Sequence, residues 1–525
     1  MRVPRSVAAL TLVAAAVPAP ACRPDSGSAP NGPVVVYVVD ALRPDRMSVY
    51  GAGRPTTPAA VRLAREAVTY TNAYAVSTWT RPSVATMLTS VLPSTSATLS
   101  RWGRLDDSVW YLPEALRSRG FTTAAFVANG NLFDDRMGFR RGIDVFRPIV
   151  HAVPGGTGPP GTEWHATARE VVEPVLAFIE AQASPRFFVY IHVVDPHTPY
   201  VLMPEHQGWF ASSADDGTKV PIDYDRSVRQ ADDEFRRIVG ALRRKGFWPG
   251  STVVYTADHG EEFGEHGRTG HGYSAYDEQL RVPLLVKYPG GEGGGTRLPD
   301  PVSLADLAPT VAAVHGLPAS SGWIGTSLWR RRLPPERELY FTEDLDRDRL
   351  YGIRRGPRKV IVRLYPVFQR TLFSLDRDPG EKAGVDLPCG AEGRGSPELF
   401  AALRLWRERD AAGYPSLRFG EGPAGGRCEA SIDLSTVREP FLTAEDHCRW
   451  SPEVKDGRLV YREDPGSPSE RLLVSADDRG RPPDVRSPRG RTPCSIATVR
   501  SRLIEGPTSE EHLDRLRALC YLQGP

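Results

Sequence analysis

The sequence has no excess of charge of either sign. Its 525 residues include 66 basic and 64 acidic side chains, and only six of the basic ones are lysine. A protein without a basic surface has no general attraction for phosphate backbones, so we predict no nucleic-acid partner. The hydrophobic fraction of 40% and the charged fraction of 25% are typical of a globular protein, and the length allows two or more domains.

Cysteine is also scarce, with six residues in the whole chain. No two of them show the C-x-x-C spacing of a zinc site. Five of them lie in the last third of the chain: Cys389, Cys428, Cys448, Cys494 and Cys520. Disulfides formed in an oxidising compartment are therefore the better interpretation, and the odd number leaves at least one thiol without a partner in the chain.

The apolar run at the amino terminus, residues 7–17, is too short to remain as a membrane span. Together with its basic start and the small residues Ala19-Pro20-Ala21, it predicts an export signal over residues 1–21. Residues 22–33 predict a tether. Cys22 either carries a lipid, the one membrane contact that the sequence predicts, or stays unmodified. We expect an exported protein of the periplasm or cell envelope, and the oligomeric state stays open.

Short apolar runs alternate with amphipathic stretches of helical period up to Tyr288. The predicted strands are Val34–Val39, Thr122–Val127, Arg186–Val194, Thr252–Thr256 and Val282–Tyr288. The predicted helices are Thr57–Glu66, Pro82–Leu88, Tyr111–Arg119, Ala166–Ala181 and Tyr224–Lys245. Such alternation predicts an α/β fold with a mostly parallel sheet that is covered on both faces.

The rest of the chain differs in composition. Residues 351–354 and 359–362 predict antiparallel strands, and proline and glycine become more frequent after Gly413. The predicted parts are an α/β domain over 34–330, a smaller α+β subdomain over 331–413, a loop-rich β insertion with cysteines over 414–505, and a closing helix over 506–525.

Two strands that are far apart in the sequence each lead to a carboxylate. Asp40 follows Val34–Val39, and Asp258 and His259 follow Thr252–Thr256. The carboxyl ends of parallel strands meet at one edge of a sheet, where α/β proteins hold ligands and metals. An isolated Asp-His pair is more often part of a solvated loop, but the two strand ends together indicate a metal-centred site.

The order of the polar motifs resembles the sulfatase branch of the alkaline phosphatase superfamily over residues 34–382. The motifs are Asp40-Ala41-Leu42-Arg43-Pro44-Asp45, Tyr50-Gly51, Thr56-Thr57-Pro58, Ala257-Asp258-His259-Gly260, Gly264-Glu265-His266-Gly267, Gly270-His271-Gly272, Arg281-Val282-Pro283-Leu284 and Asp378-Pro379-Gly380-Glu381. The resemblance implies an alkaline-phosphatase-like three-layer α/β/α sandwich, with a smaller C-terminal α+β subdomain.

The same resemblance implies a metal centre. Asp40, Asp258 and His259 match metal ligands of that family, so we expect one divalent ion. Many sulfatases have a second acid where Ala41 stands here, and an Asn where His259 stands. The smaller number of oxygen ligands favours Mn²⁺ or Zn²⁺ over the Ca²⁺ common in sulfatases, and the identity of the ion stays open.

The nucleophile position departs from the family pattern. Sulfatases have a Cys or Ser there that becomes formylglycine, in a Cys/Ser-x-Pro/Ala-x-Arg motif before a helix that residues 85–90 resemble. Counting back from this helix gives Thr80, with Val84 in place of the Arg. Thr cannot become formylglycine, so we predict that the Thr80 hydroxyl binds the metal and attacks the ester. The alternatives are Ser77, which the helix register disfavours, and a Thr that only caps the helix.

Further site residues follow from the resemblance. His197 and His271 match positions that contact the ester oxyanion or leaving group, so both are predicted to be catalytic and to bind substrate. Asn129 stands in the region where the family has a Lys-x-His pair, and it is predicted to donate a neutral hydrogen bond to substrate. His192 and His266 are weaker candidates, expected outside the inner site or in loops.

These residues predict a metal-dependent, sulfatase-like hydrolase that acts on sulfate or phosphate esters of small molecules, glycans or lipids, with phospho-esters favoured. Two alternatives stay open. One is a transferase that passes a phospho-group to an envelope glycan or lipid. The other is a non-catalytic relative that binds a sulfated or phosphorylated glycan.

Overall fold

The computed structural model describes most of the chain from residue 31 onwards. The described residues are 31–99, 103–133, 137–149, 166–210, 219–345, 348–365, 369–387, 397–411 and seven short strands between 416 and 499. The export signal, most of the tether, all the cysteines and the closing helix lie outside these residues, so the expectations about them stay predictions. Among the described helices, none is both long enough and apolar enough to cross a bilayer.

Strands and helices alternate through the first part of the chain. The strands up to residue 386 are β1 Val34–Val39, β2 Val68–Tyr74, β3 Thr122–Val127, β4 Val145–Pro148, β5 Phe187–Val193, β6 Thr252–Thr256, β7 Glu262–Phe263, β8 Thr269–Gly270, β9 Arg281–Lys287, β10 Arg297–Ser303, β11 Glu338–Leu345, β12 Asp348–Arg355, β13 Arg358–Tyr365, β14 Gln369–Ser374 and β15 Val385–Asp386. The α-helices are α1 Pro58–Ala64, α2 Thr80–Thr89, α3 Leu112–Ser118, α4 Gly130–Phe133, α5 Ala168–Ala181, α6 Ile222–Arg244, α7 Asp277–Leu280, α8 Leu307–Val314 and α9 Pro397–Ala411.

Eight strands form the central sheet, in the order β10-β2-β9-β6-β1-β5-β3-β4. Strand β1 pairs in parallel with β5 on one side and with β6 on the other. All of its residues are buried, as expected for a continuous run of valine and tyrosine in the middle of a parallel sheet. Strand β9 is antiparallel to both of its neighbours. The predicted α/β class with a mostly parallel sheet is therefore confirmed.

The strand order brings the carboxyl ends of β5, β1 and β6 side by side. Val38 of β1 lies opposite His192 of β5 and Thr256 of β6. Asp40 and Asp258, which follow β1 and β6, therefore leave the sheet at the same edge. This is the edge at which parallel α/β sheets place their ligands.

A smaller antiparallel sheet follows, in the order β11-β12-β13-β14-β15. Its apolar residues, including Ile353 and Val360, pack with Leu399 and Leu403 of α9. The structure thus contains the predicted second sheet, while its boundaries at residues 331 and 413 stay predictions. The later strands are β16 Ser416–Gly420, β17 Glu429–Asp433, β18 Glu453–Lys455, β19 Arg458–Arg462, β20 Arg471–Leu473, β21 Val485–Arg486 and β22 Ser495–Val499.

Candidate metal centre and active site

Two carboxylates and an imidazole meet at the carboxyl edge of the central sheet. One ligand atom from each of Asp40, Asp258 and His259 lies within 4.8 Å of the others, and all three residues are buried. The Nε2 atom of His259 is 3.4 Å from Oδ1 of Asp40 and 3.5 Å from Oδ2 of Asp258. Bonds from oxygen or nitrogen ligands to a divalent metal measure about 2.0–2.6 Å, so one ion can touch all three atoms.

The same three atoms have no hydrogen-bond partner within the described part of the chain. They are Oδ1 of Asp40, Oδ2 of Asp258 and Nε2 of His259. Buried polar atoms without partners are rare in native proteins, and a cation would satisfy all of these together. The other ring nitrogen of His259, Nδ1, is 2.9 Å from the carbonyl oxygen of Gly260, which leaves the Nε2 lone pair for a metal. The donor set therefore fits one divalent ion.

The chain turns sharply after Asp40. Ala41 has a φ of 56°, in the left-handed region that costs a non-glycine residue roughly 1–2 kcal/mol. In this conformation its N–H lies 3.4 Å from Oδ1 of Asp258, and its carbonyl accepts the hydroxyl of Tyr224 at 2.7 Å. These contacts hold the turn and align the ends of β1 and β6.

His192 contacts the same carboxylates. Its Nε2 is 3.1 Å from Oδ2 of Asp40 and 3.9 Å from Oδ2 of Asp258. Burial alone would raise the pKa of Asp40, but the hydrogen bond with His192 and the nearby imidazoles hold it well below its ordinary value. Burial alone would lower the pKa of His192, and its hydrogen bond with Asp40 raises it instead. His192, a weaker candidate that was expected outside the inner site, therefore adjoins the three candidate ligands and contacts one of them, Asp40.

Thr80 is the first residue of α2, and Asn129 links its hydroxyl to Asp40. The Nδ2 atom of Asn129 donates to Oδ2 of Asp40 at 2.6 Å and to Oγ1 of Thr80 at 3.1 Å. Ser83, one turn along the helix, donates to the carbonyl oxygen of Asp258 at 2.5 Å. The helix begins before the predicted Pro82, so Thr80 lies within its first turn and not ahead of it.

Both the nitrogen and the oxygen of the Asn129 side-chain amide make hydrogen bonds within the protein. While its Nδ2 contacts Asp40 and Thr80, its Oδ1 accepts the N–H of Asn131 at 2.8 Å. This geometry supports a role in aligning the Asp40 carboxylate with the Thr80 hydroxyl. The expected contact of Asn129 with substrate stays a prediction.

The side chains around Thr80 that could have competed for a role in the site make other contacts within the protein. Val84, which stands in place of the motif's Arg, is fully buried in the apolar core. Arg81 is also fully buried, and it donates to the carbonyl oxygen of Gly103 at 3.1 Å. Ser77, the alternative nucleophile, donates its hydroxyl to Glu343 at 2.8 Å. The hydroxyl that adjoins the metal cluster is therefore that of Thr80.

Two further imidazoles lie beside the cluster. The ring centre of His271 is 4.3 Å from that of His259 and 5.0 Å from that of His197. The Nδ1 atom of His271 is 3.0 Å from Oε1 of Glu261. Burial lowers the pKa of His271 to about 3 and raises the pKa of Glu261 to about 7. Burial therefore favours the neutral form of both side chains.

All the predicted site residues thus lie around one centre, and their roles stay predictions. They are Asp40, Thr80, Asn129, His197, Asp258, His259 and His271. Glu261 was missed, although it lies in the same loop as His259. His266 lies elsewhere, with Nε2 3.4 Å from Glu278 and its ring stacked on Tyr276.

Comparisons with known proteins agree with this architecture. A family model described as Sulfatase matches residues 33–317. An ulvan-active sulfatase from Formosa agariphila is 24% identical over 331 residues, which cover 57% of this chain and 65% of that protein. The chain therefore spans slightly less than two thirds of that relative. A multifunctional alkaline phosphatase superfamily protein from Trinickia caryophylli is 22% identical over 375 residues, 53% of this chain and 72% of that protein.

Solved structures show the same fold. A protein in complex with its substrate D-glucosamine-2-N,6-O-disulfate superposes with a TM-score of 0.60 at 18% identity, covering 73% of this chain and 98% of that one. The phosphonate monoester hydrolase of Agrobacterium radiobacter has a TM-score of 0.58 at 18% identity, covering 72% and 94%. These likenesses confirm the predicted alkaline-phosphatase-like fold.

Proposed function

Because the chain belongs to the sulfatase family, whose model matches residues 33–317, we propose that it hydrolyses phosphate or sulfate esters with Thr80 as the nucleophile. Asp40, Asp258 and His259 would hold one divalent ion beside the Thr80 hydroxyl. The substrate is an ester of a small molecule, a glycan or a lipid, and phospho-esters are favoured.

The contact of Asn129 with both Asp40 and Thr80 carries this proposal. The side-chain amide of Asn129 thus links the Thr80 hydroxyl to the Asp40 carboxylate of the metal cluster. Thr80 is fully buried, and the residue at the N-cap position of α2 is Trp79. This arrangement disfavours the alternative in which Thr80 only caps the helix.

The first chemical step is the attack of Thr80 on the ester. A bound ion would lower the pKa of the Thr80 hydroxyl and offset the charge that develops on the transferred group. Thr80 attacks as the alkoxide, its proton having passed to water. A bond forms between Oγ1 of Thr80 and phosphorus while the bond from phosphorus to the ester oxygen breaks. The N–H of Asn129 stabilises the alkoxide before the attack.

Glu261 and His271 supply the proton that the leaving oxygen needs. His271 gives its Nε2 hydrogen to this oxygen while its Nδ1 takes the proton of the Glu261 carboxyl, 3.0 Å away. The leaving group departs as an alcohol, and Glu261 becomes a carboxylate. In the second step a water attacks phosphorus and passes one proton through His271 to the Glu261 carboxylate, while the bond from Oγ1 of Thr80 to phosphorus breaks. The Thr80 alkoxide that is released takes a proton back from water, which restores the hydroxyl. His197, whose ring centre is 5.0 Å from that of His271, would be the second imidazole beside the transferred group.

Three departures from the sulfatase motif favour phospho-esters. Thr80 cannot form the aldehyde hydrate that releases sulfate by elimination, so an ester of Thr80 must be attacked by water, a route better established for phosphoryl groups. Val84 stands in place of the motif's Arg. Asn129 and Asn131 stand in the region of the Lys-x-His pair, so the set of side chains with which sulfatases are expected to bind sulfate is incomplete there.

The first testable prediction concerns Thr80 and the substrate class. Purified protein loaded in turn with Mn²⁺, Zn²⁺ and Ca²⁺ is assayed on an aryl phosphate, an aryl phosphodiester, an aryl phosphonate and an aryl sulfate. We expect kcat/KM for one of the phospho- or phosphonate esters to exceed that for the sulfate by at least about tenfold. Thr80→Ala should lower kcat by at least about 1,000-fold, whereas Thr80→Ser should stay within about tenfold because it keeps a hydroxyl.

Mass spectrometry of the quenched reaction should also find a phosphate on the peptide that contains Thr80. Full activity of Thr80→Ala would refute the assignment of the nucleophile. A higher kcat/KM for the aryl sulfate that is lost in Thr80→Ala would refute the substrate preference and leave the nucleophile standing.

A further inference from the structure

A carboxylate from the smaller sheet contacts the segment that leads into α2. Glu343 lies in β11 and is 2% exposed. Its Oε2 atom accepts hydrogen bonds from Oγ of Ser77 at 2.8 Å, from the N–H of Thr78 at 2.9 Å and from Oγ1 of Thr78 at 2.7 Å. Three hydrogen bonds to one buried oxygen, one of them from the main chain, hold the backbone at Thr78 in place.

The anchored residues lie immediately before Thr80. The N–H of Thr342 in β11 also donates to the carbonyl oxygen of Val76 at 2.9 Å, so the segment is tied to the smaller sheet at several points. Trp79, the one residue between Thr78 and Thr80, is extended and fully buried. Because only one extended and buried residue separates Thr78 from Thr80, a shift of Thr78 would also move Thr80.

We propose that Glu343 is a positioning residue that determines where the Thr80 hydroxyl stands relative to Asp40. This inference rests on the proposed role of Thr80 as the nucleophile. A displacement of a reacting group by about 1 Å can lower a rate by about 100-fold. Glu343 acts through Ser77 and Thr78 rather than on substrate, so its loss lowers kcat and leaves KM nearly unchanged.

The test compares variants of the full-length protein in kcat, KM and melting temperature. Glu343→Ala should lower kcat by about 100-fold with KM within about threefold. Glu343→Gln should recover most of this loss, because its amide oxygen still accepts hydrogen bonds. Ser77→Ala combined with Thr78→Val removes the two hydroxyl donors, and adding Glu343→Ala to this pair should cost less than it does in the parent protein.

Glu381→Gln is the matched control. Glu381 is likewise a buried carboxylate at the junction of the smaller sheet with the α/β domain. Whereas Glu343 contacts the segment before Thr80, Glu381 accepts the N–H of Asp277 in α7 at 2.6 Å and contacts Lys359 of β13 at 2.8 Å. It should lower the melting temperature and leave kcat within about twofold. An equal loss of kcat in this control would overturn the positioning role, because general loosening of the two sheets would then explain both results.

Thr80→Ala, measured in parallel, separates the two proposals. If it loses activity while Glu343→Ala keeps its kcat, the positioning role alone is wrong. If Thr80→Ala keeps activity, both proposals are wrong. If Glu343→Ala does not fold, the variant with Ser77→Ala and Thr78→Val decides, and an unchanged kcat there overturns the positioning role.

Discussion

The ligands of the candidate metal centre are oriented by side chains that are not ligands themselves. His192 and Asn129 both contact Oδ2 of Asp40, at 3.1 Å and 2.6 Å. The other oxygen, Oδ1, lies 3.4 Å from Nε2 of His259. The hydrogen bonds to one oxygen of the carboxylate thus leave the other facing His259, where a divalent ion would bind. Loss of such outer contacts typically weakens metal binding 10- to 100-fold.

A substitution of His192 tests whether its contact with Asp40 strengthens metal binding. His192→Phe keeps the volume of the ring and removes the nitrogen that contacts Asp40, so it should weaken Mn²⁺ binding by about 10- to 100-fold, measured by isothermal titration calorimetry. His206→Phe is the control, because His206 is also buried and contacts a carboxylate, Asp233, at 3.2 Å. Equal Mn²⁺ affinity in the parent and in His192→Phe would contradict the prediction.

The elements that the sequence predicts best are the fully buried strands. The bounds of β1, β3 and β6 are those predicted, since each is a short run rich in β-branched residues with few polar positions. Strands β2 and β10 were missed. Strand β2 carries polar residues on both faces, and β10 contains two prolines, which an edge strand tolerates. The spacing of apolar residues in the sequence therefore does not indicate such strands.

The part of the site that lies at the ends of strands could be predicted from the sequence. Asp40, Asp258 and His259 come together because β1 and β6 are neighbours in a parallel pair. The contact of Glu343 with Thr78 spans 265 positions and joins the smaller sheet to the segment before α2, so neither periodicity nor a local motif indicates it. The strand that carries His192 was predicted, but its pairing with β1, which brings His192 to Asp40, is a property of the tertiary fold.

Helix α1 depends on a cap from another helix. Its own N-cap residue, Thr57, makes no capping hydrogen bond with its side chain. Asp232 of α6 accepts the N–H of Ala59 at 2.6 Å and that of Ala60 at 2.9 Å. Asp232→Ala would leave two buried N–H groups unpaired, so we expect the free energy of unfolding to fall by about 1–3 kcal/mol in urea titrations. Asp232→Asn should lose less, since its amide oxygen still accepts one of these bonds.

The pH dependence of this cap is a separate prediction. Burial raises the pKa of Asp232 to about 7, above the ordinary value of 3.8. Between these values the unfolded chain releases the proton and the folded chain retains it, so the contribution of Asp232 to stability declines as the pH rises from about 4 to about 7. The stability of Asp232→Asn relative to the parent should therefore improve from about pH 4 to about pH 7 in paired urea titrations. A constant difference would show that the carboxyl is ionised throughout.

Ion pairs centred on a buried lysine join the smaller sheet to the α/β domain. Lys359 of β13 is 1% exposed, and its Nζ lies 2.8 Å from both Oδ1 of Asp277 in α7 and Oε1 of Glu381. Burial alone would lower the pKa of Lys359, but the two carboxylates raise it above its ordinary value. The ammonium group therefore stays charged, and it neutralises two acids that would otherwise repel each other at the junction.

Lys359→Met tests how much this network contributes to holding the two sheets together. The substitution keeps most of the apolar stem and removes the cation from buried Glu381, whereas half-buried Asp277 keeps Arg354 at 3.4 Å. The free energy of unfolding should therefore fall by about 1–3 kcal/mol in urea titrations. Adding Glu381→Gln to Lys359→Met should restore part of this loss, because the buried carboxyl group that lost its cation is then removed. Arg104→Met, which breaks the more exposed pair with Asp107, should change the same quantity by less than about 1 kcal/mol. If Lys359→Met is as stable as the parent, apolar packing alone holds the sheets together, and the buried charges at the junction contribute specificity rather than stability.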